Sequence, residues 1–492
     1  MRPPWPGNPA VFPELPRPWG LEWLSWVMRS LRSLALLLLV VAMAGACSTS
    51  GTPTPAPSTA DRSLAGDWHA TLPVPEHPVP MGVTFGDDGD TVSVPVQGIY
   101  QRRLEQVSRV PDDVRFTIPR LPGTPTFQGR YDRAADTITG TFTQSGETLP
   151  LTFERGTVPE VPRPQEPRPP FPYRSEEVRY ASGAVTIAGT LTLPATPGPY
   201  PAVVLISGSG PQDRNEELLG HKPFLLLADS LTRAGYAVLR TDDRGVGGTG
   251  GDLHRASYHD LADDVVAGLD QLRGRADIDE NRIGLLGHSE GGYLAPLVAA
   301  RPGAGVAFVI MMAGPAAGGA EVLMEQNRIS LAAEDASAEE ISDRIAFVST
   351  LTTLSRTGDI EQVRRYLTDR NAQRSPDQRL SPAQVDEFTS VYFTSFVSYD
   401  PAPALSALRI PVLACYGGKD WQVPPAQSEP LARRYLAAAP DADIHVFDGL
   451  NHLMQPAETG SPAEYPAIET TIAPEVLDYI GNWLAQRVTP AR

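Results

Sequence analysis

Hydrophobic and polar positions change their period along this chain of 492 residues. From Asp61 to about Arg155 they alternate in short runs: Gly82-Val-Thr-Phe85, Thr91-Val-Ser-Val94, Val114-Arg-Phe-Thr-Ile118, Thr137-Ile-Thr-Gly-Thr-Phe142 and Leu149-Pro-Leu-Thr-Phe153. A period of two, broken by Gly, Asp and Pro clusters, predicts a small antiparallel β domain, barrel or sandwich, over 61–157. Seven prolines between Pro159 and Pro172 then predict a semi-rigid, extended linker, 158–173, and a domain boundary.

After Tyr173 continuous apolar runs alternate with helical patterns, which predicts an α/β domain, 174–492, built on a mostly parallel, doubly covered sheet. The predicted strands are Ala202 to Ile206, Tyr236 to Arg240, Ile283 to Leu286, Phe308 to Met312, Val412 to Tyr416 and Ile444 to Phe447. Helical patterns run from Phe224 to Ala234, Asp260 to Leu272, Gly292 to Ala300, Ala426 to Ala438 and Ala473 to Gln486. The stretch between Met312 and Pro411 is too long for a loop. It is rich in helix formers and carries the capping signals Ser337-Ala-Glu-Glu340 and Ser381-Pro-Ala-Gln384, so it reads as a helical cap at about 315–408.

The first 47 residues read as a leader. Arg29 and Arg32 precede an apolar run from Leu34 to Ala44, the pattern of a secretory signal and too short for a membrane span. The run ends Ala44-Gly45-Ala46-Cys47, which resembles the bacterial lipobox. That resemblance implies a mature chain starting at a lipidated Cys47, exported and held to a membrane by its acyl chains. Met28 is then the expected start of translation, and residues 48–60, made of Ser, Thr, Pro and small residues, form a solvated tether.

Composition narrows the partners. A net charge of −17, with Lys222 and Lys419 as the two lysines, leaves no basic face for nucleic acid. Two cysteines, Cys47 and Cys415, exclude a disulfide framework and a thiolate metal site. Cys415 lies mid-strand among apolar residues and is expected to be a small buried hydrophobe. Paired histidines and carboxylate clusters at metal spacing are lacking, so no metal or other cofactor is expected.

The chemistry concentrates in Gly287-His288-Ser289-Glu290-Gly291-Gly292, which follows a predicted strand and opens a predicted helix. Gly-x-Ser-x-Gly in that context predicts a strained turn that projects Ser289 as a nucleophile, with His288 as part of the turn. A serine hydroxyl needs a base oriented by a third group. His452, in Leu450-Asn451-His452 just past a predicted strand, stands where that base belongs. Asp420, in Gly417-Gly418-Lys419-Asp420 after another, is the expected acid, while His445 sits inside its strand and packs or faces solvent. Oxyanion donors are expected from the backbone N–H of Glu290 and of Ser209, the latter in the small-residue loop Ser207 to Arg214.

These motifs resemble the α/β-hydrolases of the serine aminopeptidase-like group, especially secreted bacterial esterase-like members with an N-terminal β domain. The matching residues are Gly208 to Arg214, Asp242 to Gly248, Gly287 to Gly292, Ser398-Tyr-Asp-Pro401, Gly417 to Asp420 and Leu450 to His452, in family order from about Tyr173 to Arg492. The resemblance implies an α/β-hydrolase fold, Ser289, His452 and Asp420 as a triad, and a structural turn at Asp242 to Gly248 with Arg244 outside the chemistry; it says little of substrate, and the expected reading is an extracytoplasmic serine hydrolase acting on a small-molecule carboxylic ester. Met454 replaces a frequent aromatic and is expected to affect only the pocket lining. Alternatives are an aminopeptidase or amidase, with Glu325 and Glu340 as candidates to hold a substrate ammonium, a thioesterase, or a non-catalytic surface-binding lipoprotein.

Overall fold

The computed structural model describes residues 63–490 except 75–78, 87–88, 96–98, 111, 120, 122, 145, 159–160, 334–335 and 375–377. The leader and Cys47 therefore lie outside the described residues.

Nine strands make the first sheet: β1 (Gly66–Leu72), β2 (Val79–Phe85), β3 (Thr91–Val94), β4 (Ile99–Arg103), β5 (Glu105–Arg109), β6 (Asp113–Thr117), β7 (Thr126–Asp132), β8 (Thr137–Gln144) and β9 (Glu147–Arg155). Their order is β4-β3-β2-β1-β9-β8-β7-β6-β5, and every pairing is antiparallel. Its two edges, β4 and β5, are separated in sequence by Leu104 alone, so the chain itself joins them and rolls the sheet into a barrel. Alternate residues fill the interior, where Trp68, Phe85, Phe116, Phe127 and Phe153 are buried. Each such ring contributes roughly 1.5–3 kcal/mol of burial.

The linker is bound along its length by its polar side chains. The Arg163 guanidinium donates to the carbonyls of Leu219, Pro466 and Ile468 at 3.0, 2.9 and 2.8 Å. The Gln165 side chain bonds both the carbonyl and the N–H of Ile472, and Glu166 pairs with Lys222 at 2.7 Å. Prolines keep the segment extended; these contacts fix where it lies.

The second sheet runs β10 (Arg174–Ser182), β11 (Val185–Leu193), β13 (Ala237–Thr241), β12 (Tyr200–Ile206), β14 (Ile278–His288), β15 (Val309–Met312), β16 (Val412–Gly417), β17 (Ala442–Phe447) in space. β12 to β17 are parallel to one another, and the β10–β11 hairpin adds antiparallel strands at one edge. Along β12, Val204 and Ile206 join one core while Val203 and Leu205 join another, so both faces are covered. Helices α1 (Pro223–Arg233) and α11 (Pro474–Arg487) bury Phe224, Leu227, Ile480 and Trp483 on one side. Helices α2 (Tyr258–Arg273), α3 (Gly291–Ala299) and α10 (Pro425–Tyr435) cover the other with Leu269, Leu272, Tyr293 and Val298 among their contacts.

Between β15 and β16 rises a cap of α4 (Gly319–Ala333), α5 (Ala338–Ser355), α6 (Ile360–Ala372), α7 (Pro382–Phe388) and α8 (Val391–Ser398), before α9 (Ala402–Ala407) returns to the sheet. The cap has its own core, including Phe347, Leu351, Leu367, Phe388 and Phe393. Ser337 and Ser381 begin α5 and α7 with reciprocal capping boxes to Glu340 and Gln384. Strand order reverses about β12, so the loops that leave β12 and β14 diverge at their carboxyl ends and open a crevice under the cap.

Candidate active site

Ser289 sits between β14 and α3 with a φ of +51°, a left-handed conformation that costs an L-residue energy unless its surroundings enforce it. They do: its N–H donates to the Met312 carbonyl at 2.9 Å, and its own carbonyl accepts from Gly292 at 2.9 Å. A Cβ at Gly287 would overlap the Gly291 carbonyl oxygen, and one at Gly291 would overlap that of Ile206. The glycines of Gly-x-Ser-x-Gly are therefore demanded by backbone crossing backbone.

Asp420 and His452 leave the ends of β16 and β17 and are each 3% exposed. Asp420 Oδ1 accepts from the N–H groups of Gln422 and Val423 at 2.7 and 2.8 Å, which fixes the carboxylate. Its Oδ2 meets His452 Nδ1 at 2.8 Å. That bond assigns the Nδ1 proton and leaves Nε2 as the basic nitrogen. Asn451 stiffens the loop, its Oδ1 accepting from the N–H groups of Leu453 and Gln455, both at 3.0 Å. Ser289 and His452 line one cavity, and no hydrogen bond joins them in this structure. Such bonds commonly close only when substrate arrives.

In the loop after β12, the N–H groups of Gly208, Gly210, Gln212 and Arg214 are bonded within the protein. Asp243 accepts from Ser207 Oγ and Gln212 N, both at 2.8 Å. Glu216 Oε1 takes the Gly208 N–H at 2.6 Å, and the Tyr392 hydroxyl of α8 takes that of Gly210 at 3.0 Å. Among the described residues the N–H groups of Ser209 and Glu290 have no hydrogen-bond partner. Glu290 is the N-cap of α3, a helix N-terminus that favours negative charge.

Tyr258 and Tyr392 both donate to the buried carboxylate of Glu290. Burial pushes that carboxyl up to about 7, with the two phenols holding it down. Asp243 is raised well above the carboxylate range by burial, against the bonds from Gln212 and Ser207. Sequence reasoning missed Glu216, Asp243, Tyr258 and Tyr392. Glu216 follows directly on the small-residue loop and could have been found there; Tyr392 lies in the cap, with no pattern tying it to the site.

The cavity encloses about 160 Å³. Leu218, Leu253, Val322, Phe388, Phe393 and Phe396 give it apolar walls, with Gln326, Glu387 and His254 at polar points. Glu325 and Glu340 are not among its lining residues: the first is bonded to Arg328, and the second completes the Ser337 capping box. Met454 corrects another expectation, since it is buried in the core under α11 and its neighbour Leu453 lines the cavity instead. Its φ of +59° turns the chain there, so successive side chains part. Cys415 is buried and its thiol pushed upward by burial. His445 packs against Phe447 and Tyr479. In the turn after β13, Asp242 bonds Arg214 and the Gly248 N–H, while Arg244 pairs with Asp264. Among the described residues no group of three or more His, Cys, Asp and Glu could hold a metal, and no helix is long and apolar enough to cross a membrane.

Residues 222–459 match the family model for the serine aminopeptidases, S33. Esterase EstD of Thermotoga maritima is 28% identical to this chain over 365 residues, which covers 73% of this chain and 79% of that one. Among solved structures, the Pyrococcus furiosus esterase Pf2001 superposes with a TM-score of 0.40 at 15% identity, covering 65% of this chain and 91% of the other. Est1E from Butyrivibrio proteoclasticus, with ferulic acid bound, does so with a TM-score of 0.40 at 13% identity, covering 63% and 99%.

Proposed function

We propose that this chain is an α/β-hydrolase of the serine aminopeptidase-like group, whose model its residues 222–459 match, and that it hydrolyses carboxylic esters through an acyl-enzyme on Ser289. The observation that carries the reading is the buried His452–Asp420 pair, bonded at 2.8 Å, with His452 on the wall of the cavity that Ser289 also lines from its strained turn. The likeness to esterase EstD supports ester as the bond cleaved. Ser289 Oγ attacks the carbonyl carbon as His452 Nε2 takes its proton, and Asp420 stabilises the imidazolium. The N–H groups of Glu290 and Ser209 receive the oxyanion. His452 then protonates the leaving alcohol, and a water repeats the sequence to release the acid. The cap roofs the apolar pocket and selects among acyl groups.

The test is hydrolysis of a short p-nitrophenyl ester. Ser289→Ala should lose on the order of 10⁶ in turnover, and retention of substantial activity would overturn the assignment. An aminopeptidase or amidase reading has one observation in its favour, the carboxylate of Glu387 on the cavity wall, where a substrate ammonium could pair. Faster turnover of amino-acid anilides than of acyl esters would select it.

The reading extends to location: the leader pattern supports an exported protein tethered through lipid at Cys47. Intact mass of the native protein tests this, since an N-terminus upstream of Cys47 or a mass without acyl chains would refute it.

A further inference from the structure

His288 is 3% exposed, yet both of its ring nitrogens face acceptors. Nδ1 lies 2.9 Å from Glu216 Oε1, and Nε2 lies 3.1 Å from the backbone carbonyl oxygen of His452. A neutral imidazole has one N–H and can donate only one of these bonds, so a ring that donates both, to a Glu216 carboxylate and to a carbonyl, is an imidazolium. Burial works against that charge, but the carboxylate and hydrogen bond of Glu216, with the His452 carbonyl and Asp420 behind them, outweigh it and hold His288 above its ordinary value. The groups facing this ring are Glu216, Asp420 and the His452 imidazole, whose centroid is 5.0 Å away.

Glu216 reaches in the other direction as well. The oxygen that meets His288 also accepts the Gly208 N–H, and a Cβ at Gly208 would lie 3.3 Å from Ser289 Cβ. Glu216 holds a φ of +53°, and its second oxygen is buried without a protein partner. A buried ion pair of this kind adds little to stability over a packed apolar pair. Its bonds run instead to the two backbone segments on either side of the serine.

We propose that Glu216 and His288 are positioning residues for acyl transfer at Ser289: the carboxylate fixes the oxyanion loop at Gly208, and the imidazolium fixes the backbone of His452. Base and oxyanion donor are thereby held in register across the nucleophile. This rests on the triad reading above.

The experiment uses the full chain with Glu216→Gln and His288→Asn, assayed on a p-nitrophenyl ester across pH and labelled with a fluorophosphonate. Both variants should keep KM within about threefold and lose roughly 10²-fold in kcat, the size expected when reacting groups drift by about an ångström. Ser289 should still label to completion, at a rate reduced in step with kcat/KM. Glu216→Gln keeps an oxygen for Gly208 but withdraws the countercharge, so the alkaline limb of its kcat profile should move to lower pH. The proposal is overturned if kcat is unchanged in both variants, if KM rises while kcat holds, or if that limb stays in place. Should His288→Asn fail to fold, the limb in Glu216→Gln decides alone. Failure of the triad reading looks different: Ser289→Ala stays active, or the wild-type label lands elsewhere, and the proposal falls with it.

Discussion

Of the amides of Gly208, Ser209, Gly210 and Glu290, those of Gly208 and Gly210 are tied to Glu216 and Tyr392, while those of Ser209 and Glu290 have no hydrogen-bond partner among the described residues. This division predicts what a methyl group does at Gly208. It would approach Glu216 Oε1 to 3.1 Å and Ser289 Cβ to 3.3 Å, so the loop must shift by a few tenths of an ångström. Steady-state kinetics of Gly208→Ala should show kcat reduced roughly tenfold to 10²-fold with little change in KM. Glu290 makes a second prediction. Its carboxyl is raised from 4.5 to about 7, so the folded chain binds a proton there that the unfolded chain has released. Stability from this group is complete below about pH 4.5 and is lost as pH rises through 7, by on the order of 3 kcal/mol. Thermal unfolding from pH 5 to 8 should therefore fall less steeply in Glu290→Gln than in the wild type. Ser289, Asp420 and His452 were legible because each stands where an apolar run ends, and a strand end is a position that sequence can mark. Glu216 and Tyr392 were not, because what qualifies them is proximity created by the fold: Tyr392 reaches Gly210 from a residue 182 positions away.

Elements followed their patterns where burial was two-sided. All six strands expected in the second sheet are present, and β14 is longer than its apolar run because Ile278–Asn281 adds a more polar start. The β10–β11 hairpin was missed, since β10 sits at the edge with alternate residues exposed and reads as polar. β1, β4, β5 and β7 were missed in the barrel: β1 buries Trp68, Ala70 and Leu72 yet reads as the mixed run Gly66-Asp-Trp-His-Ala-Thr-Leu72, while in β4 and β7 Gln101-Arg-Arg103 and Gln128-Gly-Arg130 bury little. Capping was readable, because Ser followed at the third residue by Glu or Gln is a local signal that needs no tertiary partner. Helix α7 carries Phe388 and Glu387 into the cavity and begins at the Ser381 box. Ser381→Ala should cost about 1 kcal/mol, visible as faster amide exchange through α7 with the rest of the cap unchanged. Tyr392→Phe in α8 removes the acceptor for Gly210 and a donor to Glu290 together. It should lower kcat about tenfold while leaving the unfolding midpoint less affected than the rate.

At the scale of the molecule, the division into a rolled antiparallel sheet and a doubly covered parallel one could be read from the change of period, whereas the binding of the linker could not. Prolines announced an extended spacer; Arg163 and Gln165 turn it into a brace across Leu219, Pro466, Ile468 and Ile472, on the loops that lead from Glu216 and His452. Arg163→Ala removes three carbonyl partners of a half-buried guanidinium and should cost about 2 kcal/mol, measured by urea unfolding of the full chain. Val158 packs over Gly82 of the barrel, and Arg163 is already fastened to the second domain. The leash between the two bodies is thus the handful of residues from one anchor to the other. So short a leash gives the barrel a narrow orbit, and a pair of dyes, one on each body, should report a tight spread of separations that broadens when Arg163 lets go.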